Sequence, residues 1–197
     1  MSAYSRDRRF TDYIHKTVAI PQIYTPLNWK QVPLDEVVAE HIDIENGLDY
    51  LFRHKGVIKT VQERFRDRKY QQYTDFTIRL RRDQNKHENR KKSEYYKMKA
   101  SYFTYGITNY HKDDFSKCTD FLKYAVINMV KVYEKIDNNE IIIRDNGKNT
   151  CRLIEEKIIE YPVKYNRDGS SSFFPIDISL LVKLWGGDMV IAQKGFV

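Results

Sequence analysis

The stretch Lys59–Asp83, KTVQERFRDRKYQQYTDFTIRLRRD, places β-type residues at nearly every second position and fills the spaces with Arg, Gln and Glu. Successive side chains of an extended strand point to opposite faces. Val61, Glu63 and Phe65 therefore share one face of the first strand, and Thr60, Gln62, Arg64 and Arg66 share the other. Phe76 and Ile78 repeat the alternation in DFTIRL. One face builds core and the other carries polar groups. A half-exposed antiparallel sheet with a polar outer face is the simplest structure with that property.

Upstream, Asn46-Gly47 forms a turn into the strand LDYLF, and His54-Lys55-Gly56 turns that strand into VIKTVQERF. Gln71–Thr74 then leads into DFTIRL. Three strands with such short connections predict an antiparallel meander. Before them, PLDEVVAEHI reads as a helix with Leu34, Val37, Val38 and Ile42 on one face. Residues 1–33 contain Pro21, Pro26 and Pro33 without a clean period and read as an irregular arm lying on the domain.

Downstream, the polar run at 81–93 is expected to be an exposed loop. SEYYKMKASYFTYGI begins helical and ends as a strand, and FLKYAVINMVKVYEKI joins a strand to a helix. EIIIRD is a strand, RLIEEKIIEYPVKY fits helix or strand, FFPIDISLLVKLW is a strand followed by a helix, and DMVIAQKGF is a last strand. The expected fold class is α/β (α+β): a central mixed sheet with an antiparallel meander, flanked by helices, in one domain over 34–197.

The chain has 197 residues, enough for one well-buried domain. No apolar run approaches the roughly 18–20 residues needed to cross a bilayer. MSAYSRDRRFTDYIHK has no apolar centre and does not read as a secretory signal. Cys118 and Cys151 are far apart without a CxxC pattern, so two free thiols in a reducing cytoplasm are expected. The five histidines show no metal-ligand spacing and read as surface or turn residues. The net charge of +7 is unevenly spread. Residues 51–117 hold 18 Lys/Arg against 8 Asp/Glu, whereas 1–50 is acidic and 118–197 is balanced. A basic surface confined to the middle third suits a polyanion, most often nucleic acid, although a solvated charge run has the same composition.

Asp49 lies thirteen residues before Gln62, so a hairpin of the two strands brings Asp49 close to Gln62 or Glu63. Oxygen ligands of this kind can hold a divalent ion, with a cation beside an attacked phosphate. The order GLDYLF, TVQERFRD, YTDFTIRL, SEYYKMKASYFTYGI resembles the core of the PD-(D/E)XK nuclease superfamily over about residues 36–110. That resemblance implies a restriction-endonuclease-like fold and Mg²⁺-dependent hydrolysis of DNA. It implies Asp49, Glu63 and Gln62 as metal ligands, with Arg64 or Lys99 supplying the positive charge. Glu40 on the preceding helix is a further candidate ligand, and Lys97 a second candidate lysine. The chain departs from the family at two points. Gln62 stands where an Asp or Glu belongs, and Arg64 where a lysine belongs, whose planar guanidinium is no simple replacement.

The charged run and its flanks supply the expected nucleic-acid contacts: Arg66, Arg79, Arg81, Arg82, Lys91, Lys92 and Lys97. Such groups neutralise phosphates, and the adjacent Tyr95 and Tyr96 can stack on bases. Three functions stay open at this point. They are a metal-dependent DNA nuclease, alone or as a pair of chains, a nucleic-acid-binding protein of the same fold without catalysis, and a basic domain that binds an acidic protein.

Overall fold

The computed structural model describes residues 3–81, 93–147 and 150–197, and leaves out the side chains of 3–7, 36, 37, 40 and 44. The fold is the mixed α/β class that the sequence predicts. Its centre is a six-stranded sheet in the order β1 (Lys30–Gln31), β2 (Tyr50–His54), β3 (Val57–Arg66), β5 (Tyr102–Thr108), β6 (Phe121–Asn128), β12 (Val190–Lys194). Only β3 and β5 are parallel, and the other neighbours are antiparallel. Lys55 and Gly56 close the β2–β3 hairpin with φ of 48° and 81°. Two positive φ values in a row are what a two-residue hairpin turn of this hand requires.

The third strand of the expected meander goes elsewhere. β4 (Asp75–Arg81) leaves the central sheet and pairs with β11 (Ser172–Asp177), which also pairs with β10 (Lys164–Tyr165). The free edge of β3 is taken by β5 instead. The reason lies in YFTYGIT, which is buried on both faces. A strand apolar on both sides belongs in the interior of a sheet, while DFTIRL has one exposed face and suits an outer layer. Gly106 in β5 is also required by packing, since a Cβ there would come within 2.5 Å of the Phe121 ring.

Two cores flank the sheet. On one side Phe103, Tyr105, Ile107 and Ile127 pack with Phe76 and Ile78 of β4, Phe174 and Ile176 of β11, and the helices α4 (Met129–Asp137) and α5 (Ile178–Trp185). The ambiguous stretch after residue 150 forms strands, β8 (Arg152–Glu155) and β9 (Ile158–Pro162), beside β7 (Ile141–Arg144). On the other side the arm covers Phe52, Val61, Phe65, Phe121 and Val126.

That arm is helical, contrary to the irregular segment expected. Helix α1 (Ala3–Ile14) runs without a break into a wide π-helical segment, His15–Tyr24. Its buried residues Phe10, Ile14 and Val18 keep a helical spacing, but the next step, to Ile23, spans five residues across Pro21, where the wide turns break a 3.6-residue pattern. Burying side chains of this kind contributes roughly 1.5–3 kcal/mol each before the entropy of ordering the segment. Helix α2 (Glu36–Asn46) forms where predicted, with Ile42 against the core but Val38 exposed. Among the described residues no helix is long and apolar enough to cross a membrane, and both cysteines are free.

Candidate nucleic-acid interface

The charge on β3 divides between its two faces, and the divided groups meet different surroundings. Glu63 faces the arm, where its side chain has no solvent exposure. His15 Nδ1 lies 2.9 and 3.0 Å from the two carboxylate oxygens. The Tyr24 hydroxyl donates to Oε1 at 2.5 Å and sits 2.9 Å from Thr104 Oγ1. The His15 ring stacks on Tyr50, with centroids 3.5 Å apart and planes within 4°. Burial alone would lower the His15 pKa, but the charge and hydrogen bond of Glu63 outweigh it and raise the value. Burial, followed by the charge of Glu63, keeps Tyr24 protonated and so a donor.

Asp49 stands beside this network, and its Oδ2 accepts a hydrogen bond from the Glu63 backbone N–H at 2.6 Å. Burial pushes the Asp49 carboxyl up to about 7; the amide opposes the shift, and the charges of Asp43 and Glu63 add to it. Asp49 and Glu63 border a cavity of 180 Å³ that Arg8, Asp12, Asp43 and Tyr50 also line.

Gln62 and Arg64 occupy the opposite face, so they do not join those carboxylates. The acid they meet is Glu94, buried in the first turn of α3 (Glu94–Lys97). Glu94 Oε1 accepts from Gln62 Nε2 at 3.1 Å and pairs with the Arg64 guanidinium, and Oε2 accepts from the Arg79 backbone N–H at 2.9 Å. Arg64 also donates to the Thr77 carbonyl and lies 5.4 Å from the centroid of Phe103. It thus ties β3, β4 and α3 together. The set Asp49, Glu63, Gln62 does not fit a divalent ion in this arrangement. Hard cations need several oxygens converging on one point, whereas Gln62 is on the far face and both Glu63 oxygens serve His15 and Tyr24. Among the described residues no group of three His, Cys, Asp or Glu side chains is placed to hold a metal.

Arg66, two residues on from Arg64 and on the same face, is half-buried. Its guanidinium lies 5.4 Å from the centroid of Tyr70. Among the described residues no acid accepts a hydrogen bond from it or forms an ion pair with it. Burial, and then the positive charge of Arg64, lower its pKa, yet a guanidinium stays charged in a protein. Arg66 lines a cleft of 410 Å³ with Arg64, Arg79, Asn166, Ser171, Phe173 and Glu94. Glu94 is the one acid there among the described residues, and its carboxylate is already held by Arg64, Gln62 and the Arg79 amide. Its walls come from the polar face of β3, the Thr77 and Arg79 positions of β4, Glu94, the loop between β10 and β11, and Phe173 at the start of β11.

The remaining expected contacts scatter around it. Arg79 and Arg81 project from the exposed face of β4, and Arg81 pairs with Asp145 at 3.7 Å. Lys97 ends α3, and Lys99 borders a different cavity with Tyr133 and Glu134. Arg82, Lys91 and Lys92 lie outside the described residues, as does the Glu40 side chain. His15, expected from sequence to be a surface or turn histidine, is instead buried, because the arm folds over β3 and Glu63 holds its ring. Tyr24 and Glu94 were not singled out from sequence, although Glu94 is a lone acid opening a helix after a basic run. Comparison with protein-family models, curated proteins and solved structures finds no match for this chain.

Proposed function

We propose that this protein binds nucleic acid through the Arg64–Arg66–Arg79 cleft, and that the carboxylates of the β2–β3 pair serve its architecture. The observation that carries this reading is Arg66. A cation taken out of water without an acid partner is costly, and an anionic ligand removes the cost. The basic excess of the middle third supplies the surrounding field, and Arg79 and Arg81 extend it along β4.

Fluorescence anisotropy with labelled oligonucleotides over a salt series tests the proposal. Binding should weaken steeply as salt rises, as expected when phosphates are neutralised. A plasmid and oligonucleotide cleavage assay in Mg²⁺, Mn²⁺ and EDTA belongs beside it. Binding without cutting supports the proposal. Metal-dependent cutting that disappears in Asp49→Asn would instead assign hydrolysis to the acidic cavity and overturn the architectural role given to those carboxylates.

A further inference from the structure

We infer that the cleft takes single-stranded nucleic acid, one backbone phosphate seated on Arg66 and Arg79 and the adjoining base lying on the ring of Phe173. The inference rests on the nucleic-acid reading and adds the class of ligand.

Three features select a single strand. The first is depth. Arg66 is half-buried and lines the cleft, so its charge is partly withdrawn from solvent. Duplex DNA is stiff over about 150 base pairs, so its phosphates stay on a cylinder that does not bend into such a recess. A flexible single strand can lower one phosphate into it.

The second is Phe173. Its cross-strand partners are Arg79 on β4 and Lys164 on β10, which places the ring on the outer face of that sheet with basic residues on both sides. Phe174 and Ile176 of the same strand are in the core, but Phe173 belongs to neither core cluster and makes no ring–ring contact among the described residues. A half-buried ring that lines a cleft outside both cores is a platform for a flat ligand. Stacking on such rings holds single strands with little regard to sequence.

The third is size and donor chemistry. A cleft of 410 Å³ is at the small end of ligand pockets, which span roughly 300–1,000 Å³, and matches one nucleotide rather than a helix turn. The buried Ser171 hydroxyl accepts from Asn166 Nδ2 at 2.6 Å, so its own proton remains to be donated to a phosphate oxygen beside the arginines.

The test compares a 12-nucleotide single strand, as DNA and as RNA, with the blunt duplex of the same sequence and with a free mononucleotide as competitor. Heparin serves as a general polyanion. The single strand should bind about tenfold or more tightly than the duplex, and more tightly than the mononucleotide. Phe173→Ala should weaken the single strand severalfold while leaving heparin unchanged, and Phe173→Tyr should restore the loss. Arg66→Ala should weaken both ligands, and melting curves of each variant show whether the fold is kept. Duplex bound as well as single strand, with no effect of Phe173→Ala, would overturn this inference and leave nucleic-acid binding standing. Affinity that does not grow from mononucleotide to 12-mer would overturn it in favour of a nucleotide site. No salt-sensitive binding to any of the nucleic acids would overturn the parent reading itself.

Discussion

The two faces of β3 carry charges of opposite sign in opposite circumstances. Glu63 is shut away from water with a histidine and a tyrosine on its oxygens, whereas Arg66, three residues later, has an aromatic ring, a like charge and only the weaker field of Glu94 and Asp75, with no acid hydrogen-bonded to it among the described residues. The difference separates architecture from reception. A buried charge with internal partners is already satisfied and costs stability when a partner is removed. A recessed charge without one is satisfied only by something from outside.

That contrast can be broken first at Glu63. Glu63→Gln leaves His15 without its counter-charge inside the arm interface, and breaking a buried pair costs roughly 3–5 kcal/mol. Urea unfolding should show a loss of about that size, and a loss under roughly 0.5 kcal/mol would show that the network holds nothing together. Arg64 belongs with Glu63 although it shares a face with Arg66. Arg64→Ala strands the buried Glu94 carboxylate and should cost about 1.5–3 kcal/mol in the same measurement. If Arg64→Ala melts like the parent protein, the tie between β3, β4 and α3 is not real.

A further effect, spread over several pH units, comes from titration, and its sign differs from that of ordinary carboxylates. The folded state holds a proton on Asp49 up to about pH 7, against 3.8 for the free group, so stability from this source falls as pH rises from about 4 to about 7. His15 acts in the same direction. Its contribution is complete below 6.5 and is lost as pH climbs through its raised folded-state value. Asp49→Asn removes the first effect and keeps an oxygen for the Glu63 amide. Its melting temperature should therefore gain on the parent protein from pH 5 to pH 8. A constant difference across that range would place the Asp49 carboxyl at its ordinary value.

How far the sequence could be read depends on whether a feature is local. The alternation in TVQERFR assigns Glu63 and Arg66 to opposite faces, and Lys55-Gly56 marks the hairpin, because both depend on neighbouring residues alone. The partner of β4 depends on which strand best fills the interior of the sheet, a contest for the edge of β3 that YFTYGIT wins although Tyr102 lies far along the chain from its partner Val61. The arm hid its helix behind Pro21 and the five-residue step from Val18 to Ile23. At the site, the sequence showed a row of arginines without showing which of them Glu94 neutralises. Only the placement of α3 against β3 separates Arg64, which Glu94 holds, from Arg66, which among the described residues has no acid hydrogen-bonded to it.

The most direct measurement of the central claim is therefore a paired one on Arg66→Ala, with single-strand binding by anisotropy and thermal melting on the same preparation. Removing a recessed cation next to Arg64 should leave the melting temperature unchanged or raise it, while affinity falls about tenfold. A variant that melts several degrees lower and binds as before would contradict the account, because Arg66 would then be one more internal support and the cleft would have no receptor in it.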